Sequence, residues 1–488
     1  MPANQWDLNK EDLIQSGDLT AETARAEAAE SSEVTRATAA EALKLAAANN
    51  LSDLASAASA RTNLGLGSAA VQTNSFFAQV ANNLSDLGSR SSSRTNLGIP
   101  GNIFNVMDPT YGAAGNGTTD DTAAINGAIS AFNSNGGGIL YFPKGSSYYK
   151  TSGGHALTAP GVVMGQGYGT IGVGTNGTSI LYLANGSNAD MFTLGAHAIT
   201  FLDIGLYGNI GNQTATSRGV VTSASLAANY ARFMRVWIDS FHDDGIYLQG
   251  PGSSLEALFY LLKLTSNGAH GVNVSGGSAA DCHFSNCVVN SNVLSGAYVN
   301  AANTVFDTCH IWGNGSNTAP PTSGDVGGIF MPSGAAGYLR VTNSYIESNG
   351  NATAGGRGVQ SRGQGNQIAS SIIYNNRANG IYAFSNTGLN VTGCVFRNNN
   401  LNAASGAAGA GIEYDTCTAS SVTSCYMFDT QGTKTQTYGY AENGNTCNAC
   451  LFSGNVSRAA DNKTGNWLIG TGNPTATIPA TPASYNVG

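Results

Sequence analysis

The 488 residues predict an all-β protein whose body is a parallel β-helix of about ten coils. Three observations carry that prediction. Glycine is abundant at 64 residues while charged residues make up only 10%, a turn-rich composition rather than a helical one. From about Val162 onward, short apolar-alternating runs are separated by turns rich in Asn and Gly. These runs also align in register, at spacings of 22 to 35 residues from Val236 onward. The position of Cys287 is matched by Ile204, Val236, Leu262, Cys309, Ser344, Ser371, Cys394, Cys425 and Cys450. Three residues earlier stand Phe201, Phe233, Phe259, Phe284, Phe306, Val341, Ile368, Val391, Val422 and Cys447. Two residues later stand Leu206, Ile238, Leu264, Val289, Ile311, Ile346, Ile373, Phe396, Met427 and Phe452. Like residues in register mean coils stacked on one another, with inward positions forming ladders.

The register also accounts for six of the eight cysteines. Five fall in one inward column and Cys447 in its neighbour, where a small soft group packs well. Cys447-x-x-Cys450 has the spacing of half a metal site, but both positions are already interior, so no metal and no cofactor is expected. Cys425 and Cys450 are expected to stack one strand spacing apart as free thiols.

Ahead of the coils, residues 21–48 are rich in Ala and Glu and suit a helix. A duplication follows, NNLSDL…RTNLG, beginning at Asn49 and again at Asn82. So short a unit buries little alone and needs neighbours or other chains. At Gly101 the texture changes. Ile125, Ala128, Ile129 and Phe132 mark one apolar helix face, with Asp120 and Asp121 as expected N-terminal caps and Gly136 to Gly138 as the stop. The net charge of −8 with no basic cluster speaks against nucleic acid. No apolar run is long enough to span a membrane, and the N-terminus lacks the apolar core of a secretory signal, so folding with reduced thiols is expected.

The stretch YGAAGNGTTDDTAAINGAI…GGGILYFPKG resembles the opening motif of pectate-lyase-like right-handed β-helix proteins, in which a helix caps the first coil. The duplicated NNLSDL…RTNLG is similar to stalk repeats of bacteriophage tail fibres. Together these resemblances imply a tail fibre or tailspike of the virion tail, assembled in the host cytoplasm and acting at the bacterial surface. They imply a homotrimer, with residues 1–20 attaching to a tail or adaptor protein and residues 21–100 forming a helical stalk. Residues 101–455 would be the β-helix, and residues 456–488 an extended tail or cap.

If Cys287 and Val289 point inward, their neighbours point outward. One outward column reads Trp237, Lys263, Val288, His310, Tyr345, Ile372, Val395, Tyr426 and Leu451. The next reads Asp239, Thr265, Asn290, Trp312, Glu347, Tyr374, Arg397, Phe428 and Ser453, and a third, after the turn Gly, runs from Tyr247 to Glu413. So many outward aromatics need a partner, either a glycan or a neighbouring subunit. Trp237, His310, Trp312, Tyr345, Tyr374 and Arg397 are the expected glycan contacts. Hydrolysis would need two carboxylates, and the candidates are Asp239 with Asp243 and Asp244, or Asp325 with Glu347. The expected function is binding, and possible endo-glycosidic cleavage, of a bacterial surface polysaccharide. The alternatives are a receptor-binding fibre without catalysis and, ranked lower, a lyase.

Overall fold

The structure, a computed structural model, describes residues 8–43, 56–66 and 102–470, apart from 173–177, 250–253, 276–278, 317–325, 354, 444–446 and 458–461. It divides into two units, Met1–Ile99 and Pro100–Gly488. In the first unit, helix α1 spans Leu8–Ala42 and helix α2 spans Ala57–Asn63. Helix α1 therefore begins inside the segment assigned to attachment. Residues 17–43 are exposed throughout, and the Arg25–Glu22 and Arg36–Glu33 pairs lie on that surface, where ion pairs add little. Helix α2 falls in the first copy of the duplication, with the Ser56 hydroxyl accepting the Ser59 N–H at 3.2 Å. The second copy lies outside the described residues.

In the second unit, helix α3 (Thr122–Ser134) packs on the first strands and buries Ile125, Ala128, Ile129 and Phe132 as the periodicity predicts. One expected cap is corrected. Asp120 accepts the Thr122 N–H at 2.9 Å, but Asp121, the N-cap residue, bonds to the helix only through its backbone carbonyl, which accepts the Ile125 N–H at 2.9 Å. Its two oxygens accept the N–H groups of Ala114 and Gly115, at 2.7 and 3.1 Å, and so fold the Gly-rich loop back onto the helix start.

Each coil then contributes strands to three parallel faces. In one coil these are His283–Ser285, Val288–Asn290 and Ser295–Val299, on the first, second and third face respectively. The first two faces form one 22-stranded sheet, because Ile199–Tyr207 and Arg232–Asp239 bend across both; the third is a 12-stranded sheet. The corner between first and second faces is a left-handed residue, as at Leu261 (φ 53°), Asn286 (54°) and Thr308 (54°). Inside, Phe201, Phe233, Phe259, Phe284 and Phe306 stack with ring centres 5.1, 5.1, 4.2 and 4.8 Å apart.

A buried ladder of Asn267, Asn292, Asn314, Asn349, Asn376 and Asn399 lines the turn after the second face. Each Nδ2 donates to the next Oδ1 at 2.8–3.0 Å, and Gln436 continues the chain. Glycines at the start of the third face lie against it. A Cβ on Gly358 would sit 2.6 Å from the Gly380 carbonyl oxygen and 2.9 Å from Asn376 Nδ2.

The last coil departs from the expected register by five residues. Val422 pairs with Phe452, not Cys447, and the Cys425 N–H bonds to Asn455 Oδ1. Cys450 instead follows Ser420, as Cys447 follows Cys417. Leu451 and Ser453 accordingly continue the first face, not the second. The slip is readable in hindsight: Cys-Leu-Phe-Ser after one corner mimics Cys-Val-Phe-Arg after another. What decides it is packing, since Phe452 in the observed register stacks on Tyr440 at 4.6 Å and meets Trp467 edge-on at 4.7 Å. Cys425 and Cys450 therefore do not stack, although all eight cysteines are buried. The β-helix also continues beyond 455, because Trp467–Leu468 pairs with Tyr440–Ala441.

The ladder generates a prediction. Asn349 accepts from the Asn314 N–H and Nδ2 and donates to Asn376 Oδ1 and the Ile311 carbonyl. Each buried group left unsatisfied costs about 1–3 kcal/mol. Asn349→Leu is therefore expected to lower the unfolding free energy by about 3 kcal/mol or more, read as a reduced denaturant midpoint.

Candidate functional site

The outward columns of the second face stand as expected from Trp237 to Tyr426 and from Asp239 to Phe428. Their two ends differ in what they leave free. At the N-terminal end, Lys263 Nζ lies 4.3 Å from the centre of the Trp237 ring, and Trp237 Nε1 donates to Thr265 Oγ1 at 2.9 Å. Asp239 is buried and fully engaged: Thr265 and Ser240 donate to Oδ1 at 3.0 and 2.9 Å, and Thr170 donates to Oδ2. The expected site residues Trp237 and Asp239 are thus tied into the scaffold, with Asp239 holding the segment around Thr170 against the face.

Asp244 is likewise structural. It is buried, with Oδ1 accepting the His270 N–H and Oδ2 accepting Asn273 Nδ2, each at 3.0 Å. Burial and the neighbouring Asp243 charge push its carboxyl up to about 7. Asp243 is half-buried in the same turn, and its backbone N–H donates to the Ser217 carbonyl. Asp239 and Asp244 have different hydrogen-bond partners, whereas Asp243 lies near enough to Asp244 for its charge to raise that carboxyl. Asp325 lies outside the described residues.

Toward the C-terminal end the stripe opens. His310, Tyr345 and Tyr426 share one column, and Trp312, Glu347, Tyr374, Arg397 and Phe428 share the other. Trp312 is 37% exposed and Tyr345 50%. His310 Nε2 meets Glu347 Oε1 at 2.9 Å, a diagonal contact between adjacent coils, and Ser348 Oγ donates to Oε2 at 3.2 Å. The His310 ring lies 5.9 Å from Trp312 and 6.1 Å from Tyr345. Burial, and then the Glu347 carboxylate, push the Tyr374 hydroxyl up to about 12. The Arg397 guanidinium carbon sits 5.0 Å from the centre of the Tyr374 ring, and its Nε is enclosed without a hydrogen-bond partner among the described residues. Tyr426 and Phe428, 4.4 Å apart, extend the stripe beyond the residues expected to bind. The sequence register already places both in these two columns, although neither was among the expected glycan contacts.

The described residues contain no group of three His, Cys, Asp or Glu placed to hold a metal ion. Nor is any described helix long and apolar enough to cross a membrane. Residues 225–404 match the family model described as right handed beta helix region. Residues 103–231 match the one described as rhamnogalacturonase A/epimerase, pectate lyase-like. The body of the chain has the fold of a right-handed parallel β-helix. Within the curated relatives, alginate lyase 7 of Azotobacter vinelandii is 37% identical over 83 residues, which are 17% of this chain and 9% of that protein. Mannuronan C5-epimerase AlgE3 of the same organism is 40% identical over 77 residues, 16% of this chain and 4% of that one. This β-helical chain therefore matches less than a tenth of either relative's length. In three dimensions it is similar to the A-module of the Azotobacter vinelandii mannuronan C-5 epimerase AlgE4, with a TM-score of 0.58 and 18% identity over 77% of this chain and 99% of that one. At that identity the likeness is one of fold.

Asp244 offers a test of its structural role. A carboxyl raised from 3.8 to about 7 in the β-helix keeps a proton that the unfolded chain releases. Its contribution to stability is complete below about 4 and is lost as pH rises through about 7. Asp244→Asn cannot titrate, and Asn273, whose buried Oδ1 has no hydrogen-bond partner among the described residues, can turn that oxygen toward the new amide. The stability of Asp244→Asn relative to wild type should therefore increase from pH 4 to 7, measured by denaturation at each pH.

Proposed function

We propose that this chain is a subunit of a bacteriophage tail fibre or tailspike that binds a host surface polysaccharide along the C-terminal half of the second face. The observation that carries this reading is the stripe itself. Exposed Trp312, Tyr345 and Tyr426 alternate with His310, Glu347, Tyr374 and Arg397 across five successive coils. Pyranose rings stack on aromatic faces, while hydroxyls bond to carboxylate, imidazole, phenol and guanidinium groups. Coils repeat at about 4.8 Å, close to the advance per sugar in an extended polysaccharide. A polymer running along the helix axis would thus meet one set of side chains per sugar. That relatives carry the names alginate lyase and mannuronan epimerase supports a carbohydrate polymer as the ligand class.

The duplicated motif and the exposed helix α1 support a fibre assembled as a homotrimer and joined to the tail through its N-terminal residues. Residues 17–43 expose Leu19, Val34 and Leu43, side chains that packing against other chains would cover. Along this stripe binding is better supported than hydrolysis. Glu347 is engaged with His310, and the other described candidate acids belong to different contacts.

Two measurements test the reading. Sedimentation of the full chain should give a trimer, and a monomer would sink that part. Retention of polysaccharides from susceptible bacteria should fall about 30-fold in Trp312→Ala and in Tyr345→Ala, the ratio for the ~2 kcal/mol that truncating an aromatic anchor costs. Unchanged retention in both variants would remove the stripe as the binding face.

A further inference from the structure

We propose that a groove at the outer edge of the first face is a second saccharide site, separate from the stripe, that takes a sugar bearing a carboxylate. Only the ligand class rests on the polysaccharide reading above; the place and the charge are new. The groove has a volume of about 540 Å³, within the range of ligand clefts. It lies between two columns. One is the outward column of the first face, where His283, Val305, Arg340 and Gln367 are neighbours on successive strands. The other is the set of left-handed corners that lead into that face, Asp281 (φ 56°), Asn303 (54°), Tyr338 (59°) and Gly365 (63°). The stripe is on the second face, beyond the next corner at Asn286 or Asn343.

Side-chain size makes the hollow. Val305 is shorter than His283 and Arg340 on either side of it, and Gly365 leaves its corner bare. The Tyr338 ring lies across that bare corner: a Cβ on Gly365 would stand 2.9 Å from Tyr338 Cδ1 and Cε1. Tyr338 is 44% exposed, so the ring offers an aromatic platform of the kind on which a pyranose stacks. Four coils span three steps of about 4.8 Å, about 14 Å in all, which gives room for a short run of sugars.

The charges around the groove select the ligand. Arg340 is exposed two residues from the platform and makes no ion pair among the described residues, unlike Arg218 and Arg235. The nearby carboxylates are already engaged. Asp281 accepts the Asn303 amide at 2.8 Å, and it stands two coils from Arg340, about 10 Å. Asp307, diagonal to Arg340, accepts the Thr342 hydroxyl at 2.6 Å, the Asn343 amide at 3.1 Å and the Thr308 hydroxyl at 3.1 Å. Arg340 is therefore left to pair with an anion from outside, and its planar fork matches a carboxylate with two parallel hydrogen bonds. A sugar stacked on Tyr338 with its carboxylate at Arg340 would turn hydroxyls toward the Gln367 amide on one side and toward Asn303 and Asp281 on the other.

The test is calorimetric titration of the full chain with a β-1,4-linked trisaccharide of glucuronic acid and with the matching trisaccharide of glucose, which lacks only the carboxylates. The uronate should bind about tenfold or more tightly than the glucose form, the range of a charge-assisted hydrogen bond. Arg340→Gln should abolish that preference with the thermal midpoint kept, since the side chain is exposed. Gly365→Ala should weaken both trisaccharides by displacing the Tyr338 ring; alanine is accommodated at the same corner two coils on, as Ala419 (φ 48°). Tyr338→Ala should do the same without touching the corner glycine, and Trp312→Ala should change neither affinity. Equal affinity for the two trisaccharides, a preference that survives Arg340→Gln, or loss of binding in Trp312→Ala would each overturn the site. Polysaccharide retention separates the two readings. If retention depends on Trp312 and Tyr345 while no uronate preference appears, this site falls alone. If the uronate binds here while both stripe variants keep full retention, the stripe falls and this site stands.

Discussion

The asparagine ladder at the turn after the second face is the constraint on which the rest of this β-helix depends. An amide side chain can accept and donate along the stacking direction at once, so each Asn joins the coil before it to the coil after it. Asn314, for example, accepts the Asn292 N–H and donates to the Val289 carbonyl. These groups are fully buried, and a coil shifted by one residue would leave several unpaired. The ladder thereby sets the register of all three faces. The glycines beside it follow from the same geometry: Gly296 and Gly328 stand where a Cβ would meet the next coil's carbonyl oxygen at 2.8 and 2.5 Å.

A register held from within determines what is presented outside. The stripe from His310 to Phe428 is a set of side chains on strands whose inward neighbours, Ile311, Ile346, Ile373, Phe396 and Met427, are closely packed. A rigid scaffold of this kind fixes the spacing of outward groups at the spacing of the coils, which suits a repeating polymer better than a single small molecule. The N-terminal end of the same columns shows the converse. There Trp237 and Asp239 are consumed by Lys263, Thr265 and Thr170, so an identical register position becomes a scaffold contact. Position in a column says where a side chain starts, and the neighbours decide whether it remains available.

The division between sequence and tertiary structure follows from this. The sequence by itself determined the fold, because a β-helix writes its period into the chain: the Phe stack, the four-cysteine column from Cys287 to Cys425 and the helix face Ile125 to Phe132 are all legible in it. It also determined which positions face outward over most of the length. It misplaced the last coil, since cysteine and phenylalanine recur at two kinds of inward position and only the contact of Phe452 with Tyr440 and Trp467 tells them apart.

The site was less legible than the fold. His310, Trp312, Tyr345, Glu347, Tyr374 and Arg397 can be named as candidates because they share two columns, yet the sequence could not show that Asp239 and Asp244 are buried and bonded while Glu347 meets His310 across coils. Solvation and partner choice are properties of the stacked structure, and only the tertiary structure could decide them.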